Sequence, residues 1–265
     1  MARFWIHKIL DENGNLTTWQ GELTGVFDNI KTVSDYGLDD AFYNCTGITG
    51  SISFLALTSV DDYGLYNTFY GCTGITSVSF PALTSAGNNG LSNAFYNCTG
   101  LTSVSFPILT SVGDYGLYNT FYGCTGITSV NFPILTSVGN NGLSSAFYRC
   151  TGITSISFPT LTTIGGYGLY NTFYGCTGIT NVSFSALTSI SSSGLRNAFY
   201  NCTRITSVSF PTLKTIGSYG LYNAFSGCTG ITSIHFRADA KSVIESTADY
   251  SDKFGASNAT IYFDL

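Results

Sequence analysis

The sequence predicts a repeat solenoid, and three observations carry that expectation. The eight cysteines stand at 45, 72, 98, 124, 150, 176, 202 and 228, a step of 27 once and of 26 thereafter. Two phenylalanine columns keep the same step. One runs Phe54, Phe80, Phe106, Phe132, Phe158, Phe184, Phe210, Phe236, and the other Phe42, Phe69, Phe95, Phe121, Phe147, Phe173, Phe199, Phe225. The segment from Ile75 to Cys98 recurs between residues 23 and 236, and every other feature copies or flanks it. A fixed internal period of this kind marks units that bury an apolar face only by stacking on neighbours, so the chain is one elongated body with a core that grows copy by copy.

Residues 1–22 read as an N-terminal β-hairpin cap. Two apolar-rich runs, from Arg3 to Leu10 and from Asn15 to Trp19, flank Glu12-Asn13-Gly14, and Asn-Gly between such runs is the strongest short-range hairpin signal. A cap is expected because the first rung would otherwise present an open strand edge. Trp5 and Trp19, the two tryptophans, are expected to seal that end of the core.

The solenoid is expected over 23–236. Residues 23–45 form a degenerate first copy in which Leu23 to Phe27 stands for the strand. In the full copies, Ile-Thr-Ser-Val-Ser-Phe alternates as a half-buried strand, with Val and Phe inward and the serines outward. Proline follows at 81, 107, 133, 159 and 211, where no ladder donor is needed. A second, shorter strand is expected at Leu-Thr-Ser-Val/Ile. The third piece carries Leu65, Phe69 and Cys72 at 0, +4 and +7, one face of a helical turn. Asn67 and its equivalents 93, 119, 171, 197 and 223 are read either as caps of that turn or as a stacked amide ladder. Gly74 and its equivalents return the chain to the next strand, with Arg204 breaking the column, and Gly50 is the one extra residue behind the single step of 27. Residues 237–265 read as a C-terminal cap, a helix within 239–250 ended near Gly255 and a last strand over 259–263.

Charge and chemistry narrow the function. The net charge is −5, and between residues 46 and 236 the charged residues are Asp61, Asp62, Asp114, Arg149, Arg196, Arg204 and Lys214. With no basic stripe, neither nucleic acid nor an anionic membrane surface is an expected partner. No apolar run reaches the ~18 residues of a membrane span. Met1 to Glu12 carries no secretion signal, which leaves another export route, a leader already removed, or a protein not exported by itself. Disulfides are not expected: like residues on adjacent rungs lie about 4.7–4.9 Å apart, whereas bridged Cβ atoms want about 3.8 Å. One cysteine per copy at an apolar position reads as a buried thiol. His7 and His235, the only histidines, stand at opposite ends, so no triad, zinc site or cofactor site is expected and the chain is read as no enzyme.

The motif Leu101-Thr-Ser-Val-Ser-Phe-Pro107 with Ala146-Phe147-Tyr148-Arg-Cys150 resembles the BspA-like leucine-rich repeat of bacterial surface proteins, over about residues 45–236. The resemblance implies an α/β leucine-rich-repeat solenoid, right-handed and curved. It would have a parallel β-sheet on the concave side, and a short strand plus short helical turns on the return side. It further implies non-catalytic adhesion or recognition of a host, cell-surface or glycan macromolecule, outside the cell or on the bacterial surface. Two other classes stand beside it: a phage or virion-associated structural or receptor-binding protein, and a self-assembling structural protein.

A second period, of 52, points to where a partner would bind. Tyr63 and Tyr66, Tyr115 and Tyr118, Tyr167 and Tyr170, Tyr219 and Tyr222 mark every second copy, and Asn, Ser or Arg fill the copies between. Interdigitation of large with small accounts for such alternation. So does a row of aromatic platforms for a neutral glycan or a protein, a composition that suits low-charge, adaptable surfaces. The serine-lined sheet is the other candidate face, read as a solvated strand surface.

Overall fold

The computed structural model describes residues 9–10, 16–17, 20–23 and 25–264. The molecule is a β-solenoid whose rungs are stacked in register, each rung contributing to three walls around one continuous core. The first wall, the main sheet, holds the longer strands, such as Ile75–Ser79, Ser155–Ser157 and Ser233–Phe236, all parallel. It is hydrogen-bonded in a group of four strands and a group of six. Between the groups, the Thr128 N–H donates to the Thr102 carbonyl at 3.3 Å. The second wall is an eight-stranded parallel ladder of two-residue strands, from Thr32–Val33 to Thr215–Ile216. Its step is one full copy, Ser111 pairing with Ser85 on one side and Ser137 on the other.

Alternation in the main sheet follows the expected pattern. Val78 and Phe80 are buried while Ser77 and Ser79 face outward. Gly50 is accommodated as a bulge: the pairing of Gly47–Ser53 with Ile75–Ser79 shifts register between Gly50 and Ser51, and Gly50 takes φ +83°, the left-handed conformation that glycine adopts without a Cβ penalty.

The third wall differs from the expected helical turn. Residues 61–72 form a run of overlapping β-turns in which successive backbone donors serve different partners. Gly64, Tyr66, Thr68 and Tyr70 donate to Asp61, Tyr63, Leu65 and Asn67 within the rung, at 3.0–3.3 Å. Leu65, Asn67, Phe69 and Gly71 donate to Gly90, Ser92, Ala94 and Tyr96 of the next rung, at 2.7–3.0 Å. Every fourth residue has positive φ: Tyr63 at 56°, Asn67 at 49°, Gly71 at 69°. An α-helix would exclude this. Asn67 and its equivalents therefore serve the backbone, because Asn tolerates the left-handed region at the third position of a turn; they cap no helix. The side-chain ladder lies elsewhere, at Asp62, Asn88, Asp114 and Asn140. There each side-chain oxygen accepts the N–H of the next rung (Asn88 to Asp62 2.8 Å, Asp114 to Asn88 3.1 Å, Asn140 to Asp114 2.7 Å).

Two columns of parallel phenylalanine rings fill the core. Phe80 stacks on Phe54 at 5.0 Å and on Phe106 at 5.1 Å, and Phe95 on Phe69 at 5.2 Å. The columns meet edge to face, Phe80 on Phe95 at 6.3 Å and 72°, so both favoured aromatic geometries are used. All eight cysteines are free thiols. Each from Cys72 to Cys228 donates to the carbonyl of the phenylalanine one rung back, as in Cys124 to Phe95 at 3.1 Å. Burial pushes the Cys72 and Cys228 thiols up to about 12.

The ends modify the expectations in detail. Ile9–Leu10 pairs antiparallel with Leu16–Thr17; Trp5, Trp19, His7 and the Glu12-Asn13-Gly14 turn lie outside the described residues. The first main-sheet strand is Gln20–Glu22, paired with Gly47–Thr49, three residues before its expected place at 23–27. Residues 25–29 are a turn, yet Phe27 still stacks on Phe54 at 4.8 Å. After Phe236 the expected single helix is broken into a 3-10 turn Ala238–Ala240, the short helix Lys241–Glu245 and an irregular 3-10 stretch Ala248–Gly255, before the strand Thr260–Phe263. These pieces continue the rung: Phe263 stacks on Phe236, and the Phe225 N–H donates to the Phe254 carbonyl at 3.1 Å.

Phe121→Ala is expected to lower the free energy of unfolding by ~3–5 kcal/mol, read by urea denaturation. The thiols give a second outcome. A thiol whose folded value is raised from 9.0 to about 12, as at Cys72, contributes stability that is present below pH 9 and lost as pH rises toward 12. Stability is therefore expected to fall through this window. At pH 8 the thiols from Cys72 to Cys228 should react with Ellman's reagent only after denaturation.

Candidate binding surface on the turn wall

The eight tyrosines singled out by the 52-residue period all lie on the turn wall, and the structure pairs them within rungs. Tyr63 meets Tyr66 at 5.6 Å, Tyr115 meets Tyr118 at 5.7 Å, Tyr167 meets Tyr170 at 5.7 Å and Tyr219 meets Tyr222 at 5.6 Å. In three of the four pairs the two members differ in exposure. Tyr66, Tyr118, Tyr170 and Tyr222 are half-buried, whereas Tyr115, Tyr167 and Tyr219 are 41%, 42% and 53% exposed. Tyr63 is shielded further because Tyr36 stacks on it at 5.0 Å.

The alternation that marks these rungs has a packing cause in the deeper columns. A Cβ on Gly123 would collide with the Asn97 amide oxygen, and Gly71 over Asn44 and Gly227 over Asn201 repeat the arrangement. Buried Thr68, Thr120 and Thr172 donate to Leu38, Leu91 and Leu143 carbonyls at 2.8–2.9 Å, and alanine holds the same column at 94, 146 and 198, and again at 224, where the alternation stops. Ser92 and Ser144, which alternate with Tyr66, Tyr118 and Tyr170, are buried. Size complementarity thus explains the inner part of the double period.

It does not explain the outer column. There Tyr63, Tyr115, Tyr167 and Tyr219 have φ of 54–57°, while Asn89, Asn141 and Ser193 hold the rungs between at 52–56°. The left-handed region suits Asn and costs a bulky aromatic residue more. At Tyr115, Tyr167 and Tyr219 that backbone cost is set against one edge contact within the rung, with 41–53% of the residue left exposed.

Sequence reasoning passed over a second aromatic feature on the same wall. Tyr43, Tyr70, Tyr96, Tyr122, Tyr148, Tyr174 and Tyr200 form an unbroken stack with ring centroids 4.6–4.7 Å apart. Its signal in the sequence is the Phe-Tyr pair present in every copy from 42 to 200, whose tyrosine keeps the same step as the core phenylalanine. Desolvation first, and then the neighbouring phenols Tyr122 and Tyr70, push the Tyr96 hydroxyl up to about 12. Burial and its neighbours also raise Tyr148, against the opposing charge of Arg149, whose guanidinium lies 5.6 Å from that ring. Ring faces inside this stack are covered by each other, so it offers ring edges and hydroxyls, and stacking faces are left to the alternating column.

A family model described as "BspA type Leucine rich repeat region (6 copies)" matches residues 36–141, 91–223 and 188–253. The chain is a BspA-type leucine-rich-repeat protein. Leucine-rich-repeat proteins typically serve as binding scaffolds, and the BspA type is typically surface-associated. Among solved structures, this BspA-type chain is similar to a T. pallidum leucine-rich-repeat protein (19% identity, 68% of this chain and 77% of that one, TM-score 0.48). It is also similar to a leucine-rich-repeat protein from Bacteroides ovatus (19% identity, 84% and 86%, TM-score 0.23) and to the pneumococcal vaccine antigen PcpA (14% identity, 86% and 65%, TM-score 0.30). No functionally curated protein matches the sequence. No helix among the described residues is long and apolar enough to cross a membrane. In this BspA-type chain His235 pairs with Asp264 at 2.9 Å and stacks on Tyr262 at 4.8 Å, in the last strands of the main sheet.

The two tyrosine columns should respond differently to mutation. Tyr122→Ser removes two stacked neighbours and is expected to cost ~1–3 kcal/mol. Tyr115→Asn, which installs the residue found at 89 and 141, should change stability by less than ~0.5 kcal/mol or raise it. Chemical denaturation of the two variants reads the difference.

Proposed function

We propose that this BspA-type chain is a non-catalytic recognition module that holds a macromolecule of a cell surface, protein or glycan, against its turn wall. The contact residues are Tyr63, Tyr66, Tyr115, Tyr118, Tyr167, Tyr170, Tyr219 and Tyr222, with Tyr115, Tyr167 and Tyr219 foremost. The observation that carries the reading is their backbone: exposed tyrosines stand in left-handed conformations at positions where alternate rungs use Asn or Ser. Strain kept at an exposed aromatic residue whose aromatic packing is one edge contact within its own rung is an expected mark of a functional surface.

The surroundings agree with a partner of low charge. Aromatic rings with Asn and Ser between them supply rigid contact area and adaptable hydrogen bonding at small conformational cost. Membership of a surface-associated binding family supports an extracellular or bacterial-surface setting.

The expected outcome is that the purified chain binds discrete members of an array carrying glycans and extracellular-matrix proteins. The Tyr115→Asn/Tyr167→Asn double variant, folded to the same melting temperature, should bind none of them. Unchanged binding by that variant would remove the tyrosines from the contact surface.

A further inference from the structure

The turn wall has a period as well as a composition, and the period selects a class of ligand. Three exposed rings, Tyr115, Tyr167 and Tyr219, fall on every second rung, and the rungs between and before them carry the short polar side chains Asn89, Asn141 and Ser193; at the start of the column Tyr36, 60% exposed, stacks on Tyr63 of the next rung. With neighbouring strands about 4.7–4.9 Å apart, successive platforms recur at about 10 Å along the solenoid axis. No aromatic ring among the described residues stacks on Tyr115, Tyr167 or Tyr219, whose aromatic contacts are with Tyr118, Tyr170 and Tyr222 of the same rung.

An extended β-1,4-linked glycan has matching symmetry. Each pyranose advances the chain by close to one rung and is turned over relative to the one before it, so every second sugar presents the same face. The C–H face of a pyranose stacks on an aromatic ring, and its hydroxyls bond to amides and hydroxyls without needing a charged partner. An extended peptide fits less well. At about 3.3 Å per residue its like-facing side chains recur near 6.6 Å, out of step with the platforms. An acidic polymer is disfavoured by Asp62 and Asp114, which lie one residue before the tyrosine column.

We infer that the turn wall binds an unbranched, uncharged β-1,4-linked glycan laid along the solenoid axis, one sugar per rung. Alternate sugars stack on Tyr115, Tyr167 and Tyr219, and the sugars between them hydrogen-bond to Asn141 and Ser193. The inference rests on the proposed recognition function and specifies its ligand. Its distinctive consequence is a parity in chain length. A trisaccharide spans two platforms, a tetrasaccharide reaches no further one, and a pentasaccharide spans all three.

The test is calorimetric titration of the intact chain with cello- and chito-oligosaccharides of two to six sugars, with maltohexaose as the α-linked control. Expected are a gain of about tenfold or more in affinity from four sugars to five, a smaller gain from three to four, and no binding of maltohexaose. Tyr167→Asn, the middle platform, should abolish the length dependence while leaving the melting temperature in place. Three results would overturn the inference: no heat with any β-1,4 oligosaccharide, equal binding of maltohexaose, or undiminished binding by Tyr167→Asn. If oligosaccharides fail while the double variant still loses a protein ligand on the array, the glycan assignment falls and the recognition function stands. If no tyrosine-dependent ligand of either class is found, both fall.

Discussion

Everything in this molecule depends on the hydrogen bonds that run from rung to rung in register. In the two sheet walls these are ordinary parallel ladders. On the turn wall they come from every second residue, Leu65 to Gly90, Phe69 to Ala94 and so on, while the residues between close turns within their own rung. Because each rung is thus tied to the next at a fixed offset, identical side chains are forced into columns. A column of identical groups is favourable only for certain chemistries: rings that stack, thiols that donate one rung back, threonines whose hydroxyls reach the preceding rung's carbonyl. Like charges do not belong to that set, which accounts for the near absence of charge between residues 46 and 236. Within that span neutral Asn88 separates Asp62 from Asp114.

The architecture was legible in the sequence because the same constraint writes itself into the chain as a period. Both phenylalanine columns, the buried thiols and the Gly50 bulge follow from spacing alone. The helical turn was misread for an identifiable reason. Leu65, Phe69 and Cys72 are buried at 0, +4 and +7 in the structure, as in a helix, yet the backbone repeats every four residues through alternating right- and left-handed conformations. A four-residue turn period and a helical period of about 3.6 bury the same residues over so short a stretch. What distinguishes them is the recurrence of Asn, Gly and Ser at the positive-φ positions, a signal carried by backbone preference rather than by hydrophobicity. Gln20–Glu22 was missed because, without flanking repeat residues, nothing in its three side chains marks a strand.

The candidate surface was half legible. The alternating tyrosines stood out because they break the shorter period. The seven-ring stack from Tyr43 to Tyr200 did not, since it obeys that period as faithfully as the core does. Composition could not separate the two sets; backbone conformation and ring exposure do. One set is stabilising masonry on the outside of the wall; in the other, Tyr63, Tyr115, Tyr167 and Tyr219 hold left-handed backbone, and the last three are the more exposed members of their pairs.

The double period also governs how such an array changes in length. In the inner columns glycine rungs alternate with rungs that carry a larger side chain, as Gly123 over Asn97 illustrates. Removing the copy that carries Asn97 would set Gly71 against Gly123 and leave that column without the amide that fills it, whereas removing two successive copies keeps a larger side chain against each glycine. Duplication and loss along this gene are therefore workable in pairs of copies, and the number of platforms on the wall grows by one with each pair.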